Sequence, residues 1–342
     1  MDIIVRSPNW IGDCIMCLPA LRALKYSFPD SNIFLVTKNY LKDIFLNINE
    51  IENIITIPNR LNLKNIYLVS RKLKKFKFDF GVLFTNSFNS ALLFRVSGIK
   101  KLFGYKKDFR GFLLYKGVKY PENSKHHTFF YIDLIKKISE KKIGENYPDA
   151  LVINQDEQAK VKLLLVNQGI NLSKPMIGVS PSAAYGSAKE WLPERFKELI
   201  IKINENRPNV QIIFFGSKKE NFKILRILDG IKSNIFNLAG KLSLRESIVS
   251  ISLCSFFLSN DSGLMHIASS LQVPLIAIFG PTIPVKTAPL NNKAIILHHK
   301  VKCWPCKYRD CPVDHKCMNA IKVEEVFEEV INFIDNEYKV RI

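Results

Sequence analysis

Short apolar, β-branched runs alternate with apolar residues at helical spacing, and they do so twice along the chain. In the first half, residues 2–7, 32–37, 53–57 and 78–84 read as strands, with helices expected at 40–46, 63–75 and 127–138. The second half repeats the alternation, with strands expected at 176–180, 210–215 and 235–238 and on either side of 260–271. Strand, helix, strand in succession brings parallel strands together only when the helices cover the sheet, so each half should be a parallel sheet with helices on both faces. The expected fold class is therefore α/β. A chain of 342 residues also exceeds what one core usually holds. A polar stretch from Asn146-Tyr147-Pro148 into 156–168 marks the expected break, giving domains at 1–160 and 161–320 and a closing helix at 321–342. In that helix Val323, Val326, Phe327, Val330, Ile331 and Ile334 form one apolar stripe.

The most informative run is 254–282, which reads as strand, helix, strand around Asn260-Asp261-Ser262-Gly263-Leu264-Met265-His266 and ends in Phe279-Gly280-Pro281-Thr282. Asp261 stands where an N-cap belongs, and Leu264, Ile267, Ala268 and Leu271 recur at i, i+3, i+4 and i+7. The helix should begin at Asp261 or Ser262. Ser262 and His266 then share the opposite face, which is expected to look at solvent or at a ligand. A helix N-terminus with a glycine beside it suits a phosphate or a group of sugar hydroxyls. The same spacing also fits an ordinary capped helix with an exposed histidine.

Two more loops occupy comparable places. Ser7-Pro8-Asn9-Trp10-Ile11-Gly12-Asp13 follows the first strand, and apolar Ile15, Leu18 and Leu21 return after it. Its single glycine departs from G-x-G-x-x-G, which counts against a nicotinamide dehydrogenase. Asp13 should lie just past the carboxyl end of strand one, where open α/β sheets place their ligand crevice. Pro19 either kinks the helix that follows or marks its true first turn, with 12–18 as loop. In the second half, Pro181-Ser182-Ala183-Ala184-Tyr185-Gly186-Ser187-Ala188-Lys189-Glu190-Trp191 is a small-residue loop ahead of a helix starting at Pro193. Lys189 is either a point charge for a phosphate or a plain surface lysine.

Charge narrows the choice of partner. The formal net charge is +19, and between positions 60 and 120 fifteen Lys or Arg face only Asp79 and Asp108. Within 100–120, Lys101, Lys106, Lys107, Arg110, Lys116 and Lys119 interleave with Phe103, Tyr105, Phe109, Phe112 and Tyr115. That mixture suits an anionic, partly apolar partner such as a glycolipid head group; a nucleic acid and a merely solvated strand face are the alternatives. The apolar run before Arg6 is too short for a signal peptide, and no run approaches the roughly 18 apolar residues of a spanning helix, so a cytoplasmic location is expected. Cys303, Cys306, Cys311 and Cys317, with His315, place four of seven cysteines within fifteen residues. Structural zinc and simple packing of an irregular loop both remain open, while stable disulfides are disfavoured in a reducing compartment.

The motifs 7–13, 182–191 and 260–266 with 279–282, in this order, resemble those of the glycosyltransferase family 9 heptosyltransferases, across nearly the whole chain. The resemblance implies a GT-B architecture, two Rossmann-like domains facing across a cleft, with a C-terminal helix packing back toward the first domain. It implies an ADP-heptose donor, ADP-L-glycero-D-manno-heptose, and the lipid A-linked heptosyl-Kdo2 inner core as acceptor, in an inverting transfer without a cofactor or an obligate metal. It further implies Asp13 as the base, Lys189 and the N-terminus of the Asp261 helix as the field around the departing phosphate, and Asp261, Ser262, Gly263 and His266 as contacts to the diphosphate and heptose. Ser182, Gly186 and Gly280 shape the donor pocket, and Lys218 and Glu220 reach toward the adenosine. An enzyme of this kind works at the cytoplasmic surface of the inner membrane as a peripheral protein, with no nucleic acid expected. A family member with another acceptor or nucleotide sugar would keep the same motifs.

Overall fold

The structure, a computed structural model, describes residues 1–121, 125–231 and 234–340, with backbone only for 336–340. The chain divides into two units, Met1–Val152 and Ile153–Ile342.

The first unit holds β1 (Asp2–Arg6), β2 (Asn32–Lys38), β3 (Asn53–Ile57), β4 (Phe80–Leu83), β5 (Leu102–Lys106) and β6 (Lys116–Lys119). All pair in parallel in the order β3-β2-β1-β4-β5-β6. The second unit repeats the plan with β7 (Met176–Ser180), β8 (Gln211–Phe214), β9 (Ile235–Asn237), β10 (Phe256–Asn260), β11 (Leu275–Phe279) and β12 (Ala294–His298), in the order β12-β11-β10-β7-β8-β9. Both sheets are buried on both faces, which is why their central strands are continuous apolar runs such as Ile3-Ile4-Val5 and Leu275-Ile276-Ala277-Ile278. In each sheet the strand order reverses at one place, between β1 and β4 and between β7 and β10. Crevices open at the carboxyl ends of strands at such reversals.

The expected α/β class holds in both units. Three strands escaped the sequence pattern, β5, β6 and β12; the first two carry lysines at their ends. The expected boundary at 160/161 falls inside the helix Gln155–Asn167, which has a full capping box at Asn154 and Glu157. Glu157 is also paired with Arg245 at 2.7 Å, fastening that helix to the second unit. Pro19 lies in the first turn of the helix Leu18–Ser27, and the residues before it form a separate short helix, Ile11–Met16, where a loop was the alternative. The closing helix Val323–Val340 shares one core with the helix Pro193–Asn206 of its own unit through Val326, Val330 and Ile334 against Phe196, Leu199 and Ile203. Arg207 clamps it further with a bidentate pair to Asp335, Nε to Oδ1 at 3.1 Å and Nη2 to Oδ2 at 2.8 Å.

Candidate active site

In the second unit three loops meet at the carboxyl ends of β7, β10 and β11. The fully buried Asn260, last residue of β10, ties them together: its amide donates to the Pro181 carbonyl at 2.7 Å, and its Oδ1 accepts the Trp191 N–H at 3.1 Å. The 181–191 loop is thus pinned at both ends to β10. Next in chain, Asp261 accepts Lys189 Nζ at 2.5 Å and the Thr282 hydroxyl at 2.6 Å on the same carboxylate oxygen. Lys189 is therefore no plain surface lysine; its side chain is 14% exposed and its charge is balanced by a carboxylate that is 4% exposed.

The helix that follows is Gly263–Ser270, and two expectations about it are corrected. Ser262, not Asp261, is the N-cap: its hydroxyl accepts the Met265 N–H, while the Asp261 N–H is still engaged with the Ile278 carbonyl of the sheet ladder. His266 is buried, as are all residues from Met265 to Ser270, and β10, β11 and the helix Leu244–Ser252 pack around this helix. Of the expected stripe, Leu264 is only half-buried. Ser262 and Gly263 remain partly accessible at the helix start.

Close approach to backbone requires Gly186, and Gly280 lies against a methionine side chain. Gly186 has φ +151°, and a Cβ there would lie 2.3 Å from the Arg309 carbonyl oxygen; one at Gly280 would lie 2.7 Å from Met318 Cε. Both neighbours belong to the cysteine-bearing segment, whose function now becomes visible. Its backbone accepts from the Tyr185 hydroxyl at Lys307 (2.8 Å) and from the Ala188 N–H at Arg309 (2.9 Å). Ser187 donates to Asp310 at 2.8 Å, Trp304 to the Thr282 carbonyl at 3.1 Å, and the Cys306 N–H to the Pro281 carbonyl at 3.1 Å. The segment sews the 181–191 loop to the 280–282 loop. All seven cysteines are free, and among the described residues no group of three or more His, Cys, Asp or Glu side chains is placed to hold a metal ion.

Ser182 is buried and its hydroxyl has no hydrogen-bond partner, at the end of β7. Glu220 is occupied locally, accepting the Ser217 N–H at 2.7 Å, and Lys218 is exposed. Glu190, by contrast, accepts the Ala183 N–H at 3.0 Å and Lys223 at 2.7 Å, bracing the loop from behind.

In the first unit, Asp13 lies in the first turn of Ile11–Met16, past the carboxyl end of β1 at its strand-order reversal. Its side chain is 29% exposed, with the His127 imidazole Nδ1 at 4.0 Å. Burial first, and the Asp13 charge second, push the Tyr120 and Tyr131 phenols above their ordinary range, so both stay neutral beside it. The loop before Asp13 is held by Arg6, a guanidinium with no accessible surface that donates to the Ser7 and Val36 carbonyls and to Asn9 Oδ1 at 2.7, 3.2 and 2.7 Å. Burial lowers its pKa to about 10, so it stays charged at neutral pH.

Sequence reasoning missed Arg6, Asn260, Thr282, Glu190 and His127. A charged residue closing an otherwise apolar strand was the available signal for Arg6. Asn260 and Thr282 lay inside quoted motifs, but their roles depend on partners far away in sequence.

Comparison with known proteins extends the picture. A 29% identical relative, lipooligosaccharide heptosyltransferase 2 of Campylobacter jejuni, aligns over 99% of this chain and its own full length. Lipopolysaccharide heptosyltransferase 2 of Escherichia coli K12 is 28% identical over 88% of this chain and 90% of its own. The solved structure of the E. coli ADP-heptose LPS heptosyltransferase II superposes with a TM-score of 0.86 at 25% identity, covering 99% of this chain and all of that one. The segment the family model describes is residues 66–317, which begins after the Asp13 loop and contains Ser182, Gly186, Lys189, Asn260, Asp261, Ser262, His266, Gly280 and Thr282. With that stretch matching the description Glycosyltransferase family 9 (heptosyltransferase), this chain belongs to glycosyltransferase family 9.

Proposed function

We propose that this glycosyltransferase moves L-glycero-D-manno-heptose from ADP-heptose to the heptosyl-Kdo2-lipid A inner core of lipopolysaccharide, with inversion at the anomeric carbon. The observation that carries the reading is the joined cluster Lys189–Asp261–Thr282 at the start of the Gly263–Ser270 helix, formed by residues from three separate loops.

The donor belongs to the second unit in this reading. Its diphosphate lies at the helix N-terminus, where Ser262 and Gly263 are accessible and unpaired N–H groups offer a partial positive charge. A carboxylate so close would repel a diphosphate unless its charge were taken up. Lys189 does this in the free enzyme and stays within reach of the phosphates as negative charge grows on the departing ADP. Asp261, relieved of part of its partner, accepts heptose hydroxyls. Ser182 offers its unpartnered hydroxyl to the same ligand, Gly186 and Gly280 keep the loops close enough to form the pocket, and buried His266 supports the helix from within.

Asp13 supplies the base. A partly exposed carboxylate at a strand-order reversal accepts the proton of the attacking acceptor hydroxyl as the new C–O bond forms, and His127 stands ready to share the charge. The acceptor is lipid-linked, so the enzyme works as a peripheral protein on the cytoplasmic face of the inner membrane. Among the described residues no helix is long and apolar enough to cross a membrane.

The test is transfer by purified protein from ADP-heptose to the heptosylated acceptor, run beside Asp13→Asn. The variant should bind ADP as tightly as the parent while transfer falls on the order of a hundred-fold or more. Transfer by the variant at the parent rate would remove Asp13 from the base role. Transfer only to an acceptor lacking its first heptose would move the assignment to a different core position.

A further inference from the structure

The first unit displays phenylalanine to water at a place where the backbone is strained to do so. Phe109 is 94% exposed and Phe112 74%, in the loop that follows β5. Asp108 and Phe109 both adopt the left-handed region, each with φ +54°, a conformation that non-glycine residues take only when their surroundings impose it. Arg110 imposes it. With no accessible surface, its guanidinium donates to the Tyr105 and Thr85 carbonyls and to Asn86 Oδ1, anchoring the loop's base while the two rings project.

Neighbouring elements extend the patch. The Phe112 ring lies 6.2 Å from that of Phe88, whose N–H is capped by Asp108. Asn89 in turn donates to the Leu61 carbonyl, which brings the start of the helix Leu63–Leu73 alongside, with Leu63 78% exposed. Exposed Arg60, Lys64 and Lys106 flank these apolar side chains, and the nearby acidic group, Asp108, is already engaged. Projecting aromatic rings bordered by cations match the interface of an anionic bilayer, where rings sit at head-group depth and lysines meet phosphates.

We propose that this corner, centred on Phe109 and Phe112, docks the enzyme onto an anionic lipid bilayer by inserting both rings among the head groups. The corner lies at the carboxyl edge of β5, two strands and so roughly 10 Å from β1, whose carboxyl edge carries Asp13. Docking there delivers a lipid-linked sugar to the base. Its purpose rests on the acceptor proposed above, while the binding itself is measurable without donor or acceptor.

The experiment is flotation of the full chain with vesicles of phosphatidylcholine, with and without phosphatidylglycerol, across a salt series. The parent should float with the anionic vesicles and be released from them only in part by salt. Phe109→Ser/Phe112→Ser should bind about ten-fold or more weakly, since both removed rings bury their area on insertion, and Lys64→Glu/Lys106→Glu should weaken binding and flatten the salt dependence. Because these side chains are exposed, transfer to a water-soluble, delipidated acceptor should stay at the parent rate, and this also confirms folding. Parent protein that ignores anionic vesicles, or a double serine variant that floats like the parent, overturns the proposal. So does a patch whose variants lose an RNA oligonucleotide and not the vesicles. Failure of transfer with every protein, vesicle binding intact, would instead strike the proposed reaction.

Discussion

Replacing Gly186 with alanine should open the donor site without unfolding the unit around it. Gly186 sits at φ +151°, ψ +171°, a region essentially closed to side-chain-bearing residues, at a cost of about 1–3 kcal/mol. The added Cβ would lie 2.3 Å from the Arg309 carbonyl oxygen, whereas ordinary contact begins at 3.4 Å. The opposing partner is backbone, so one of the two chains must shift by about an ångström, and the Ala188 N–H···O Arg309 bond is lost, a further 0.5–1.5 kcal/mol or so. The total of roughly 2–4 kcal/mol falls on the 181–191 loop and the 303–317 segment, while the sheet core is untouched. If ADP binding needs the closed loop, affinity should drop about thirty-fold or more, at about 1.4 kcal/mol per factor of ten. Calorimetric titration with ADP measures this, and the labelling rates of Cys306 and Cys311 by a thiol reagent report the detached segment. Wild-type ADP affinity together with unchanged labelling would refute the idea that the cysteine-bearing segment holds the donor loops in place.

Three further outcomes follow from the same geometry. Lys189→Met leaves a nearly buried Asp261 carboxylate with only Thr282, so it should destabilise by up to about 3–5 kcal/mol, and adding Asp261→Asn should recover part of the melting temperature without restoring ADP binding; equal melting of single and double variants would deny the coupling. Arg6→Met takes the donor from the buried Ser7 carbonyl, at about 1–3 kcal/mol before relaxation, while the Val36 carbonyl keeps the Ser7 N–H; it should lower both melting temperature and transfer while ADP affinity holds, and unchanged melting would show that the guanidinium does not organise the Asp13 loop. His298, against the Trp304 ring, has its pKa lowered from 6.5 mainly by burial and then by His299 and Lys300. The unfolded chain therefore takes up this proton first as pH falls through 6.5, so stability is lost in that window, and His298→Gln should flatten the slope of melting temperature against pH there.

What local reading recovers is set by how far each effect reaches along the chain. Buried parallel strands announce themselves because both faces are apolar, so β1, β7 and β10 were readable, whereas β5 and β6 were hidden by lysines that the sheet tolerates at its rim. Caps are also local, yet the Asp261 assignment was off by one. The deciding contact, its N–H to Ile278, comes from the next strand. The burial of His266 failed for a similar reason. Helical spacing says which residues share a face, but the strands and the helix Leu244–Ser252 that pack around this helix are separate elements.

The largest gap concerns residues that are joined only by strand order. Lys189 and Asp261 are 72 positions apart, and nothing in either loop predicts the other. They meet because the sheet winds outward from β7 in both directions, β8 and β9 to one side and β10 and β11 to the other, so that the loops after β7 and β10 emerge next to each other. Arg6 reaches Val36 by the equivalent logic in the first unit, across β1 and β2. A motif therefore tells which residue types stand at a strand end, and topology decides which charges compensate one another there. In the proposed reaction compensation changes the chemistry: an uncompensated Lys189 would be a fixed phosphate clamp, whereas one held by Asp261 at 2.5 Å would give up a contact on engaging the donor, so that part of its attraction would be released only as the diphosphate gathers charge.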